Sequence, residues 1–150
     1  VKEETPRQPE VEILLRQSDE FSAQLYPPES RHPLDATQLS KPHVRFFVAR
    51  HNGRAVGCGA LVIGKEGKAE IKRMFVSPRT RGHGVGRLIL DELETIAREK
   101  GVVKIRLETG TQNDAALSLY RAFGYRERGP FSAYKADAWS IFMEKKLDPA

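Results

Sequence analysis

The segment with the clearest chemistry is Arg81-Gly82-His83-Gly84-Val85-Gly86, which follows the apolar run 69–76 and leads into a helical pattern. Glycines at alternate positions let the backbone turn its N–H groups to one side, and a helix N-terminus adds positive potential, so the segment is suited to hold phosphate. Lys72, Arg73, Arg79, Arg81 and Arg87 surround it, and no acid occurs between Glu70 and Asp91. Such a local field reads as a site for a compact anion. A Walker A loop is excluded, because no Gly-Lys-Ser/Thr follows the second glycine. A dinucleotide fingerprint is excluded because Ile89 stands where a third small residue is needed. The plainer alternative, a glycine-rich turn with no ligand, leaves the five cations unexplained.

Elements must present these residues. The chain has 150 residues, 39% hydrophobic and 30% charged, with a formal charge of +5. That profile fits one globular domain, which at this length buries roughly 70% of its unfolded surface. No apolar run approaches the ~20 residues that span a bilayer, the first residues lack the apolar core of a signal peptide, and the single Cys58 cannot form an internal disulfide. A cytoplasmic protein is expected, with a flexible leader over residues 1–9 and one domain over 10–148. The apolar run 11–16 reads as a first strand. Ser18 then caps a helix that must end at Tyr26-Pro27-Pro28. A proline-rich loop and a short helix over 35–39 follow. Asn52-Gly53 between the runs 44–50 and 55–63 predicts a hairpin, and 69–76 a third antiparallel strand. Val85, Ile89, Leu93, Ile96 and Ala97 recur at helical spacing up to Gly101, and 103–107 alternates as a strand. Asn113 caps a second helix with Ala116, Leu119, Tyr120 and Phe123 on one stripe, and strands near 125–128 and 139–145 complete the order. The fold class is α+β (α/β): one domain with a mixed, mostly antiparallel sheet and helices on both faces.

Residues 76–86 resemble the acetyl-CoA signature of the GCN5-related N-acetyltransferases (GNAT), Arg/Gln-x-x-Gly-x-Gly/Ala, through Arg81, Gly84 and Gly86. That family's second signature, Asn-x-x-Ala-x-x-Leu-Tyr-x-x-x-Gly-Phe/Tyr, is matched in full by Asn113, Ala116, Leu119, Tyr120, Gly124 and Tyr125. The resemblance implies a splayed sheet holding acetyl-CoA, as cosubstrate, in the notch between the fourth and fifth strands. It implies pyrophosphate on the N–H groups of Arg81, Gly82, His83, Gly84, Val85, Gly86 and Arg87. It also implies a pantetheine arm paired with the backbone of Met74 and Val76 and touched by Asn113. Either Arg79 or Arg87 would reach the nucleotide phosphates. The implied activity is acetyl transfer to the amine of a small molecule, with no metal, and the resemblance favours a homodimer.

Attack of an amine on a thioester needs a neutral amine, a place for developing negative charge, and a proton for the departing thiolate. Through the resemblance Tyr120, close to the cofactor, is the general acid, a role that a phenol pKa of about 10 suits; the alternative is a core tyrosine on its helix stripe. Glu70 is the candidate general base, against the reading of a solvent-facing glutamate paired with Lys72 or Lys68. Arg73 shares strand parity with the apolar Ile71 and Phe75. It therefore either points into the cleft or marks a bulge, and both placements fit an acceptor carrying a carboxylate; pairing with Glu70 or Glu108 is the internal alternative. Tyr26, Glu29 and His32 in one loop, and Phe131 and Tyr134 in another with Ser132 and Ala133, resemble the segments that shape the family's acceptor pocket.

Other residues carry less. Cys58 reads as a small core residue, and Trp139 and Phe142 read as sheet core. His32, His43 and His51 have no metal-ligand spacing with a cysteine. Nucleic-acid binding is disfavoured by the lack of a basic tail or recognition helix. A non-catalytic acyl-CoA-binding module on the same fold is the rival that an intact Tyr120 argues against.

Overall fold

The structure, a computed structural model, describes residues 1–31, 33–132 and 134–148. Along the chain lie β1 (Lys2–Glu3), α1 (Pro9–Leu25), a 3₁₀ turn (Pro28–Ser30), α2 (Ala36–Leu39), β2 (Val44–His51), β3 (Arg54–Ile63), β4 (Lys68–Val76), a second 3₁₀ turn (Pro78–Thr80), α3 (Val85–Glu99), β5 (Lys104–Gly110), α4 (Asp114–Ala122), β6 (Arg126–Arg128) and β7 (Ser140–Lys146). The strands form one seven-stranded sheet in the order β1-β2-β3-β4-β5-β7-β6. Every pair is antiparallel except β4–β5. Asn52 and Gly53, with φ of 51° and 81°, make the expected hairpin turn between β2 and β3.

Each face of the sheet is covered. Ile89, Leu90, Leu93 and Ala97 of α3, with Leu117 and Tyr120 of α4, bury Leu61, Ile71, Ile105 and Met143 on one face. Val11, Leu14 and Leu15 of α1, with Leu39 of α2, cover Phe46, Val48, Ala60 and Phe75 on the other. Among the described residues no helix is long and apolar enough to cross a membrane.

The N-terminal reading needs correction. Residues 11–16 are helical, not a strand, and Ser18 lies inside α1 instead of capping it. Pro9 in the first turn, Glu10 and Glu12 at the positive end of the dipole, and burial of Val11, Leu14 and Leu15 at i, i+3 and i+4 favour the helix. Nor is the segment before α1 frayed. Lys2 and Glu3 pair with Val48 and Phe47 at the sheet edge, and Arg45 and Arg50 hold Glu3 and Glu4 in ion pairs. The first strand is thus a two-residue edge.

Candidate active site

The site begins with a bulge. Cys58 pairs with Phe75 and Ala60 with Lys72, so Gly59 faces both Arg73 and Met74. Arg73 takes up the extra residue with φ of 56°, and the Cys58 thiol donates to its carbonyl at 3.3 Å. The strand's facing reverses there: Ala69 and Ile71 pack under α3 and α4, whereas Phe75, of the same parity, packs under α1. The bulge expected at Arg73 is found, and Arg73 also borders the cavity described next.

The β4–β5 ladder stops just before that bulge, at Ile71 and Leu107. Past it the strands diverge, and the notch between them opens into a cavity of about 680 Å³. Met74, Val76, Arg81, Gly82, Gly84, Val85, Gly86, Arg87, Asn113 and Tyr120 all line it, while His83 and Arg79 do not. Arg81 donates from Nε to the Val76 carbonyl at 3.2 Å and lies over the rings of Phe21 and Phe75.

The glycine loop is held by its neighbours. Gly82 and Gly84 have φ of 85° and 76°, and a Cβ on either would meet nothing within 4 Å, so the backbone faces open space. Gly84 stands at the N-cap of α3, where no side chain caps the helix; the first-turn N–H groups are left to a ligand or solvent. Gly57 and Gly59 of β3 set the height of α3. A Cβ at either would stand under 3.0 Å from Ile89. The sequence reading missed these two glycines, although glycine inside a strand signals close backbone approach.

Two titratable groups are perturbed at the floor of the notch. Tyr120 is 5% exposed, packs edge-to-face on Tyr125 with centroids 5.7 Å apart, and its hydroxyl has no hydrogen-bond partner among the described residues. Burial pushes its phenol up, so the proton is retained. Behind it the Tyr125 hydroxyl donates to Glu94 at 2.8 Å, and Lys145 Nζ donates to the same buried carboxylate at 2.8 Å. Across the notch Glu70 accepts from the Tyr134 hydroxyl at 2.6 Å, and Lys72 Nζ lies 3.7 Å away. Burial outweighs both and raises the Glu70 carboxyl, with Glu108 adding to the rise. Glu108 accepts from Ser140 Oγ at 2.7 Å.

The acceptor side differs from the sequence reading in several places. Arg73 is not an open guanidinium: Nε donates to the Leu34 carbonyl at 2.8 Å and Nη1 to Asp19 Oδ1 at 2.6 Å. Its partner is neither Glu70 nor Glu108. Phe131 is buried against Phe142 and Tyr134 instead of lying across the mouth, because Arg106 and Arg128 roof its ring. Tyr134 reaches the site through Glu70, not as a lining residue. Glu29 is exposed and away from the cavity. His32 and Ala133 lie outside the described residues. Tyr26 does line the cavity; its ring occupies the space a Cβ on Gly110 would need, and its hydroxyl accepts from the Gln112 N–H at 3.0 Å. Trp139 is not sheet core: it is 39% exposed, lines the cavity and meets Tyr26 edge-to-face. Arg31, in the same loop as Tyr26 and Glu29 that the sequence singled out for the acceptor pocket, lines the cavity too.

The residues present fit coenzyme A: the loop backbone is open where a pyrophosphate would approach, and β4 has a free edge beyond its bulge. Comparison with known proteins agrees. The model of the acetyltransferase (GNAT) family matches residues 11–125. An IAA acetyltransferase of Azospirillum brasilense is 45% identical over 148 residues, 98% of this chain and 97% of that protein. The N-alpha-acetyltransferase RimI of Mycobacterium tuberculosis is 38% identical over 131 residues, 81% of each chain. A crystal structure from Klebsiella pneumoniae, described as an acyl-CoA N-acyltransferase, superposes with a TM-score of 0.87 at 36% identity, covering 98% of this chain and 96% of that one. The notch, the glycine loop and the relatives agree, and the chain belongs to the GNAT family of acetyltransferases.

Proposed function

We propose that the chain transfers the acetyl group of acetyl-CoA directly to the amine of a small molecule, in a ternary complex and without a metal. The observation that carries this is the meeting, in one cavity, of the glycine loop, the free edge of β4, Tyr120 and Glu70. Acetyl-CoA supplies an activated acyl group as its thioester. Backbone N–H groups of residues 81–87 hold its phosphates, with Arg87 at hand; Met74 and Val76 offer backbone to its pantetheine, and Asn113 borders that arm. The Asn113 Oδ1 already accepts from the Ala116 N–H at 3.3 Å, so its amide N–H₂ is what remains to donate to the arm.

Glu70 acts as the base. A carboxyl raised by burial is a better proton acceptor for the amine than an exposed one. The Tyr134 hydrogen bond fixes which carboxylate oxygen stays available. Tyr120 acts as the acid: burial keeps the phenol protonated until a thiolate, itself a strong base in a dry site, takes the proton.

A panel of primary amines assayed for release of coenzyme A thiol tests the reading. Acetyl-CoA-dependent release with at least one amine is expected. Tight coenzyme A binding with no release across the panel would instead identify a binding module on the same fold.

A further inference from the structure

Beside the strands that α1 and α2 cover, the same face of β5 and β7 carries Arg106, Glu108, Phe142 and Glu144, paired across the ladder. The loop between β6 and β7 packs over it. Phe131 lies edge-to-face on Phe142 with centroids 5.8 Å apart, under the guanidiniums of Arg106 and Arg128. The Phe131 carbonyl accepts from the Tyr134 N–H at 3.1 Å, and this turn sets the Tyr134 ring against both phenylalanines, at 5.2 and 5.7 Å. Lys72 Nζ stands 5.0 Å from the same ring's centroid. Two rings and a cation therefore hold Tyr134, and its hydroxyl donates to Glu70 Oε2 at 2.6 Å.

We infer that Tyr134 is the positioning residue of the base: through this hydrogen bond it aims the Glu70 carboxylate at the acceptor without touching the acceptor itself. This rests on the reading of Glu70 as the base. Glu70 lines the cavity and Tyr134 does not, so the hydroxyl reaches the carboxylate from outside the space an acceptor fills. A bond to one oxygen from that side leaves the other for the proton of the amine. The bond also bears on charge. A donor to a carboxylate favours the ionised form, whereas burial and the nearby Glu108 favour the neutral one. Lys72, 3.7 Å from Glu70, acts in the same sense as Tyr134. Arg106 is in register with Glu70 but donates to Glu144; Arg31 and the Asp19–Arg73 pair border the cavity. Lys72 is a point charge on a flexible stem. Tyr134 is the directional member of the set, because the packing of its ring fixes where its hydroxyl points.

The test titrates Glu70 twice, in the rate and in the protein. kcat/KM is followed against pH with the primary amine that turns over best. The Glu70 carboxyl is followed by carbon NMR, its signal assigned by its loss in Glu70→Gln. Tyr134→Phe keeps the ring and deletes the donor. Both titrations should then move to higher pH by about one pH unit, a tenfold change in the ionisation equilibrium. On the plateau kcat should fall about tenfold as the carboxylate loses its aim, while the KM for acetyl-CoA holds. Tyr134→3-fluorotyrosine supplies a stronger donor of nearly the same shape and should move both titrations to lower pH, a reversal that a packing role does not produce. Parental titrations in Tyr134→Phe overturn the inference, and Glu70 stays the base as long as Glu70→Gln abolishes the acid limb. A limb that survives Glu70→Gln overturns the base reading and the inference with it, even where NMR shows the carboxyl moved. Turnover with no amine of the panel does the same.

Discussion

Arg73 and Asp19, 54 positions apart, are joined by a 2.6 Å hydrogen bond from Nη1 to Oδ1. The bond ties the bulge of β4 to the middle of α1. The Arg73 side chain is 7% exposed and that of Asp19 49%, so the guanidinium depends on this partner more than the carboxylate does. Asp19→Ala should destabilise the fold by about 1–3 kcal/mol, the range for a hydrogen bond to a charged, buried group, as read by urea denaturation. Arg73→Ala should also destabilise, and in assays it should leave any preference among acceptors where it was. A stable Arg73→Ala enzyme with a changed preference would return Arg73 to the acceptor site.

Gly84 combines a positive φ with open space on its outer side. Gly84→Leu should lower stability by only ~1–2 kcal/mol, the cost of a left-handed side chain. Its effect on cofactor binding should be much larger, because the added side chain stands where the pyrophosphate approaches. Coenzyme A at one hundred times its Kd should stabilise the parent by about 2.7 kcal/mol, or roughly 5–10 °C in Tm at this size. The variant should show almost no shift, and an equal shift in both proteins would remove the phosphates from this loop.

Tyr120→Phe deletes one hydroxyl that no described residue bonds. Stability should stay within about 0.5 kcal/mol of the parent, and the Kd for acetyl-CoA should hold. Turnover should fall on the order of 100-fold, as when a general acid is lost. Single-turnover rates decide: a parental rate in the Phe variant makes Tyr120 a packing residue.

Glu70 carries a carboxyl raised mainly by burial, with Lys72 and Tyr134 opposing. The base works only when ionised, so kcat/KM should fall with decreasing pH through a value above the ordinary carboxylate range. Glu70→Gln should lower activity by about 10²–10⁴ and abolish that limb. Stability runs the other way. The folded state holds this proton to higher pH than the unfolded chain does, so the contribution is complete at low pH and is lost as pH rises through the folded pKa. Glu70→Gln should flatten that loss in pH-dependent denaturation, and a pH-rate profile identical to the parent's would exclude Glu70 as the base.

What could be read from the chain alone is what local chemistry determines. Asn52-Gly53, Gly82, Gly84, Gly101 and Gly124 each sit at positive φ, and such positions punctuate a sequence whatever the tertiary context. The amphipathic stripe of α3 and the Asn113 cap of α4 are local in the same sense. The start of α1 was misread because Val11–Leu15 is too short an apolar run for periodicity to separate strand from helix. Ser18 also offers a second plausible cap inside the true helix. Lys2–Glu3 has no strand signal of its own and exists only through β2. Trp139 and the Arg73–Asp19 bond owe their places to distant neighbours: the Tyr26 ring over Gly110's strand end, and a bulge whose position shows only once β3 and β4 are paired.

Cys58 has a practical consequence. The chain's single cysteine is fully buried beneath α1, and burial pushes its thiol up to about 12. At neutral pH almost none of it is thiolate, the form that reacts with disulfide dyes and alkylating probes. A colorimetric thiol readout on the native protein therefore has a blank enzyme background, and its signal reports liberated coenzyme A alone. The same side chain becomes a sensor once the fold opens, since a dye that cannot touch the native protein will label the unfolded one. One reagent can thus follow turnover below the melting temperature and unfolding above it.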